Sequence, residues 1–269
     1  MSNVLDNSQL YGVRPAGIVS PLTKLSPEQQ VKLNELREIT KTWDLKPAER
    51  EFCDDLCLFR YLSGLQWNVE NAQKQLHETV IWRESYKPQD IRLKDLKPIA
   101  ESGWLFHFGF DKQSRPIIYV LMGKDKTENT EENKLLKFKY FVYINELCIK
   151  RMPEGVHNIT WIVDLKDSTV SMALVKQMKD MFVKLGDYYT ERLAKCIVVN
   201  VGFYLNLMWQ FVKPFLAQET VDKYTLIKYT DKEPFYAAVN KEQLPKDFFG
   251  DVDYVFDYDA LVKAEEEQQ

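Results

Sequence analysis

"CIVVNVGFYLNLMWQFVKPFL", residues 196–216, changes character at Gly202. Before it, Cys196 to Val201 is a near-continuous run of β-branched and apolar residues, the pattern of a strand buried on both faces. Gly202 allows a turn, and Phe203 to about Val212 has the length of a helix. Asn206, Gln210 and Lys213 are spaced four and three apart, so they share one face of it. Phe203, Tyr204, Leu205, Leu207, Met208, Trp209, Phe211 and Val212 cover the rest, a wider apolar arc than one core-facing stripe requires. The uncharged run Cys196–Val212 is 17 residues long and contains Asn200, Asn206 and Gln210. A spanning helix takes about 20 mostly apolar residues, so this run is not read as one. Two readings remain: a helix buried all round, or one that faces an internal apolar ligand on one side and a membrane on the other.

Working outward, the same strand signature recurs. Arg115–Leu121 follows a turn at Asp111–Ser114, and Ile159–Asp164 and a weaker Tyr224–Ile227 repeat the pattern. Helix periodicity lies between them, over roughly 134–151 and 171–187. Strands alternating with helices predict a largely parallel sheet covered by helices. The first 90 residues are instead helical. Ser26-Pro27-Glu28-Gln29 predicts a capped start, with Leu33, Leu36 and Trp43 as its apolar stripe. Leu56, Phe59 and Leu62 mark a second helix over 54–63, and Val69, Ala72, Leu76, Val80 and Trp82 a third over 68–85. The predicted organisation is an irregular arm over 1–25, a helical lobe over 26–90, an α/β domain over 91–255 and a polar tail over 256–269.

Composition sets the function classes. The chain has 269 residues, 45% of them hydrophobic, enough for a sizeable core, and a net charge of −4 that gives no basic field for nucleic acid. Cys53, Cys57, Cys148 and Cys196 lack metal-type spacing and read as buried free thiols of a reducing compartment. The N-terminus has neither a basic n-region nor an apolar h-region, so a secretory signal is not expected, and the expected location is cytoplasmic or peripheral on membranes.

Catalytic signatures are missing. No two of the ten glycines stand two or four apart, which removes the dinucleotide-binding and nucleophile-elbow motifs, and Gly17 precedes Ile18 rather than the lysine of a phosphate loop. His77, His107 and His157 are scattered and read as structural. Asp164, ending a strand, is expected to hold hydrogen bonds rather than to catalyse. The expectation is no enzyme, no catalytic or metal-binding residue, and no cofactor.

Five stretches in order resemble the CRAL-TRIO lipid-binding and lipid-transfer family in its phosphatidylinositol-transfer branch: Asp55–Leu62 with Trp67-Asn68-Val69, Ala72 and Trp82-Arg83; "DKQSRPIIY", 111–119; "ITWIVDLKDSTVS", 159–171; Tyr189 to Lys223; and "LPKDFFGD", 244–251. The resemblance implies a helical N-terminal lobe and a mostly parallel sheet that floors a hydrophobic pocket gated by helices. It places the gate on the opening stretch, with Tyr119, Trp161, Phe203, Leu207, Met208, Phe211 and Phe215 as pocket and gate residues. Matched residue by residue, it implies head-group contacts from Glu191, Thr220 and Lys223; the alternative for Glu191 and Lys223 is a surface salt bridge. Leu65 stands where the family's carriers have a further arginine, and Ile118, Ile159, Trp161 and His107 stand where its choline-binding members have hydroxyl groups. The implied ligand is a phospholipid, phosphatidylinositol favoured, exchanged at a transiently bound membrane surface. Alternatives are a sterol or other single hydrophobic ligand, and a lipid-sensing module that binds a protein such as a small GTPase. The physical demand is plain: about 30 acyl methylenes at about 0.8 kcal/mol each resist water by roughly 24 kcal/mol, so a carrier must offer an equally apolar chamber.

Overall fold

The computed structural model describes residues 6–168, 183, 185–202, 206, 209–210, 213–215, 218–228 and 230–267. Three helices form the N-terminal lobe: α2 (Pro27–Lys41), α4 (Asp55–Gly64) and α5 (Val69–Tyr86), with α3 (Pro47–Phe52) between the first two. Each of the three starts on a side-chain cap. Ser26 and Gln29 exchange the expected reciprocal bonds, Asp54 accepts from the Cys57 amide at 2.6 Å, and Asn68 accepts from the Asn71 amide at 2.9 Å. Their apolar stripes meet in one cluster of Leu33, Leu36, Leu58, Tyr61, Leu62, Leu76 and Val80.

The second unit is a five-stranded sheet in the order β1 (Leu105–Phe110), β2 (Pro116–Leu121), β3 (Ile159–Asp164), β4 (Leu193–Val199), β5 (Tyr224–Ile227). β1 and β2 form an antiparallel hairpin, and β2 to β5 run parallel. The short α6 (Lys97–Ala100) precedes β1, and α7 (Glu131–Arg151) is the crossover from β2 to β3 and packs on the sheet. The protein is thus α/β, with a helical lobe ahead of a mostly parallel sheet. Strand alternation divides the interior in two. Ile118, Val120, Trp161, Val163 and Cys196 face α7, while Ile117, Tyr119, Ile162, Ile197, Val199 and Ile227 face Phe235 of α9 (Glu233–Ala238) and Phe248. The sheet is therefore covered on both faces, as its continuous Ile/Val runs require.

Four elements differ from the sequence expectation. The arm is not irregular throughout: Asp6 caps α1 (Asn7–Tyr11), which buries Leu10 and Tyr11 to 3% exposure each. β1 carries no alternation, because all six of its residues are buried, and Gly109 sits at φ 70° within a bulge against β2. A Cβ there would lie 2.2 Å from the Gln243 carbonyl oxygen, so only glycine fits. The strand expected over 196–201 starts three residues earlier and ends two earlier, at the parallel register that pairs Trp161 with Cys196. The polar tail contains α10 (Tyr258–Glu266), held by the buried Leu261 with Tyr258, Ala260, Val262 and Ala264 packed partly buried against the same core. The helix expected over 171–187 lies outside the described residues except for Val183 and the helical Leu185–Tyr188.

Candidate functional site

A mainly apolar cavity of about 270 Å³ opens on the α7 side of the sheet. Its floor is a consequence of strand period: parallel register sets Trp161 beside Cys196 and Val163 beside Val198, all four on one face. Leu193 and Tyr224 extend the floor, and Leu185, Gly186 and Tyr189 form a wall. Trp161 is held flat by stacking on Phe141 of α7, with ring centroids 5.8 Å apart. Burial pushes the Cys196 thiol up to about 12, so it serves as a small apolar side chain rather than a nucleophile. Two polar side chains, Asn145 and Arg192, reach this lining. Pockets for drug-sized ligands measure about 300–1,000 Å³, so the volume within the described walls falls just short of that range.

The cavity's wall is tied to the helical lobe by a buried ion network. Arg83 of α5 grips Glu146 of α7 through two bonds of 2.8 and 3.0 Å, and the Tyr189 hydroxyl donates to the same carboxylate at 2.7 Å. Burial raises the Glu146 pKa, but the Arg83 bonds and charge outweigh it, and the carboxyl is held below its usual range. Trp82 stacks on Tyr188 at 4.1 Å, adding an apolar seam beside the network.

Of the expected pocket residues, Trp161 lines the cavity. Tyr119 does not. It stands one residue out of phase with Ile118, on the opposite face, where it stacks on Phe106 at 5.0 Å. The same strand alternation that brings Trp161 in turns Tyr119 away. Phe203, Leu207, Met208 and Phe211, and the side chain of Phe215, lie outside the described residues. The described parts of the opening stretch agree with a turn at Gly202: the Asn206 amide donates to the Gly202 carbonyl at 3.1 Å. Asn206 and Gln210 are exposed, and Trp209 leans on Tyr224 at the cavity floor, 5.4 Å between centroids.

Glu191 and Lys223 are brought together. The Lys223 ammonium donates to both Glu191 oxygens, at 3.1 and 2.9 Å, with the side chains 39% and 25% exposed. Glu191 takes a left-handed backbone, φ 54°, directly before β4. Thr220 lies on α8 (Gln218–Asp222), and its carbonyl accepts the Lys223 amide at 3.2 Å. The C-terminal end of α4 closes on this pair: a Cβ on Gly64 would approach the Glu191 Cγ to 3.0 Å, and Leu65 follows as the cap.

Other sequence candidates have structural roles. Asp164 accepts from the Lys166 amide at 2.8 Å and the Asn200 side chain at 2.6 Å. Burial holds His107 and His157 neutral, lowering them to about 3 and about 4. Among the described residues, no group of three or more His, Cys, Asp or Glu side chains could hold a metal ion, and no helix is long and apolar enough to cross a membrane. Sequence reasoning missed Asn145, Tyr189 and Arg192 as cavity residues. An amide in the middle of the apolar run 140–149 and the arginine next to Glu191 were the available signals.

The chain is similar to known proteins in sequence and in fold. A family model described as the CRAL/TRIO domain matches residues 100–250, and one described as the CRAL/TRIO N-terminal domain matches residues 32–78. A CRAL-TRIO domain-containing protein of Schizosaccharomyces pombe is 27% identical over 232 residues, covering 84% of this chain and 22% of its own length. The phosphatidylinositol transfer protein PDR17 of Saccharomyces cerevisiae is 28% identical over 249 residues, covering 85% of this chain and 67% of its own. The SEC14 cytosolic factor of Yarrowia lipolytica is 26% identical over 254 residues, covering 88% of this chain and 51% of its own. The chain therefore spans between about a fifth and two thirds of the length of these relatives. The crystal structure of Sfh5 superposes with a TM-score of 0.63 at 14% identity, over 90% of this chain and 98% of that one, a likeness of fold.

Proposed function

The chain belongs to the CRAL/TRIO family of lipid-binding and lipid-transfer domains, and from that premise we propose that it binds one phospholipid, phosphatidylinositol favoured, and carries or presents it without catalysing a reaction. The observation that carries the reading is the apolar cavity on the sheet beside the Glu191–Lys223 pair. Acyl chains leave water for the cavity floor of Trp161, Val163, Cys196 and Val198. A phosphorylated head group meets Lys223, with Thr220 and Glu191 beside it as a hydroxyl and an acceptor for sugar hydroxyls. One relative is named as a phosphatidylinositol transfer protein, which supports the same ligand, and another as a cytosolic factor, which supports a cytosolic location.

The test combines extraction with one substitution. Protein purified from cells and extracted with organic solvent releases inositol phospholipid on this reading; sterol as the only extracted lipid would replace it with the sterol-carrier alternative. Lys223→Ala separates ligand contact from packing. The pair is half-exposed, so its loss costs about 0–1 kcal/mol of stability. Loss of a charge-assisted contact to phosphate costs about 1.5–3 kcal/mol, roughly 10- to 150-fold in inositol-lipid transfer. Transfer equal to wild type would leave Glu191–Lys223 as a surface ion pair.

A further inference from the structure

Behind the polar end of the cavity lies a surplus of buried positive charge. Arg83 is neutralised by Glu146, as described. Arg192 is 8% exposed and lines the cavity. It donates to the His157 carbonyl at 2.8 Å and approaches the Met152 sulfur at 3.5 Å, with no carboxylate in ion-pair reach among the described residues. Arg60 of α4 is 3% exposed. Its side chain makes no hydrogen bond or ion pair among the described residues, and its Nε is buried without a partner.

The packing places both arginines at one seam. Phe59, next to Arg60, sets its ring edge-on to His157 at 5.3 Å, and the His157 carbonyl is the acceptor that fixes Arg192. A Cβ added to Gly64 of the same helix would lie 3.0 Å from the Thr190 methyl carbon, two residues before Arg192, so helix and turn pack closely. Burial first, then the like charge of Arg60, pulls the Arg192 pKa down to about 9; Glu146 and Asp54 oppose this more weakly. His157 is lowered to about 4 by burial and then by the same two arginines. A water molecule could satisfy the spare N–H groups, but it brings no charge. Buried cations without a counter-ion are destabilising, and the native state keeps them where an anion completes the site.

We propose that the ligand of the cavity is an anionic amphiphile whose carboxylate or phosphate is buried against Arg192, with Arg60 behind it as the positioning charge. This rests on the lipid-binding reading and changes its head-group placement: in a ligand with one anionic group, Arg192 rather than Lys223 holds the charge, and the ligands extend to other acidic lipids. The site is separate from the Glu191–Lys223 pair, since the left-handed turn at Glu191 sends that side chain to Lys223 while Arg192 turns into the cavity. A guanidinium fork suits either oxyanion, and its remaining N–H groups are free to hold two oxygens.

The experiment compares acids with neutral partners of the same chains on the full chain at pH 7.5, by displacement of a fluorescent acyl probe. Oleate is set against oleyl alcohol, and dioleoyl phosphatidic acid against dioleoylglycerol in neutral vesicles. The expected result is a preference of at least about tenfold for the acid in one arm, as a charge-assisted contact provides. The oleate arm identifies a free fatty acid, the phosphatidic acid arm a phosphorylated lipid. In Arg192→Gln, and in Arg60→Met, which breaks no hydrogen bond, the ratio falls toward one; should the first fail to fold, the second decides. Ratios of one in both arms of the wild type overturn the inference and leave lipid binding standing. A preference undiminished in a folded variant overturns the assignment to these arginines. No uptake of any probe, nor of inositol phospholipid, overturns the lipid-binding reading and this inference with it.

Discussion

Arg83→Met tests the joint between the helical lobe and the cavity wall. In the wild type, the two side chains of the pair are each 9% exposed, joined by bonds of 2.8 and 3.0 Å, with a third bond of 2.7 Å from Tyr189. The guanidinium also lies 4.2 Å from the Phe52 ring centre. Methionine keeps most of the volume and leaves the Glu146 carboxylate buried with one donor. Breaking such a pair costs about 3–5 kcal/mol. At about 2–4 °C per kcal/mol for a domain of this order of size, the melting temperature should fall by roughly 6–20 °C. Removing both charges in Arg83→Met/Glu146→Leu leaves the Tyr189 hydroxyl unpaired, at about 1–3 kcal/mol, so the double variant should be more stable than the single. Urea unfolding followed by circular dichroism measures both. The pH dependence has a definite sign. The depressed Glu146 pKa gives stability that is present above the unfolded carboxylate value, about 4.3, and is lost as pH falls through the lower folded value. In Arg83→Met, burial acts on the carboxyl with its main opponent gone and its pKa rises, so the deficit against wild type narrows as pH is lowered through the carboxylate range. A loss under about 1 kcal/mol at pH 7, or a double variant weaker than the single, would refute the reasoning.

Two further perturbations address the cavity and the core. Val198→Phe adds a ring to the cavity floor and should lower the phospholipid recovered per protein by extraction, with a stability change held within about 1–3 kcal/mol; a full lipid load would show that ligand does not enter there. His107, whose Nδ1 lies 2.9 Å from the Ile117 carbonyl, is lowered by burial to about 3. The unfolded chain takes up that proton below its ordinary value near 6.5 while the folded chain does not. Stability is then full above 6.5 and falls by about 1.4 kcal/mol per pH unit below it, with His157 adding a second proton down to about 4. His107→Gln should reduce the slope between pH 6 and 5 from about two protons to about one; an unchanged slope in chemical denaturation would count against a neutral buried imidazole.

Local patterns were sufficient wherever a residue's role depends on its own neighbours in the chain. The capped helices of the first 90 residues and the buried runs Ile159–Asp164 and Tyr224–Ile227 were legible because capping and periodicity are short-range properties. The Glu191–Lys223 contact was reached only through the family resemblance, since 32 residues separate the two. β1 was not legible, because a strand buried on both sides shows no alternation, and His107 and the bulged Gly109 interrupt its strand-favouring Leu and Phe residues. The capped turn that buries Leu10 and Tyr11 was also hidden, since its apolar residues are too few to mark a helix.

The sequence by itself determined a helical lobe ahead of a mostly parallel sheet, and the residues able to line an apolar chamber or grip a phosphate. Only the tertiary structure decided which of them face one another. Strand phase sent Trp161 into the cavity and Tyr119 to the far side of the sheet, though the two are equally apolar in composition. Packing of α4 against the turn before β4 gathered Arg60 and Arg192 into one buried seam, and of these three buried arginines Arg83 has a carboxylate partner among the described residues while the other two have none. Charge balance in an interior depends on which side chains are brought within a few ångströms of each other and shielded from water, and that is a property of packing between distant segments.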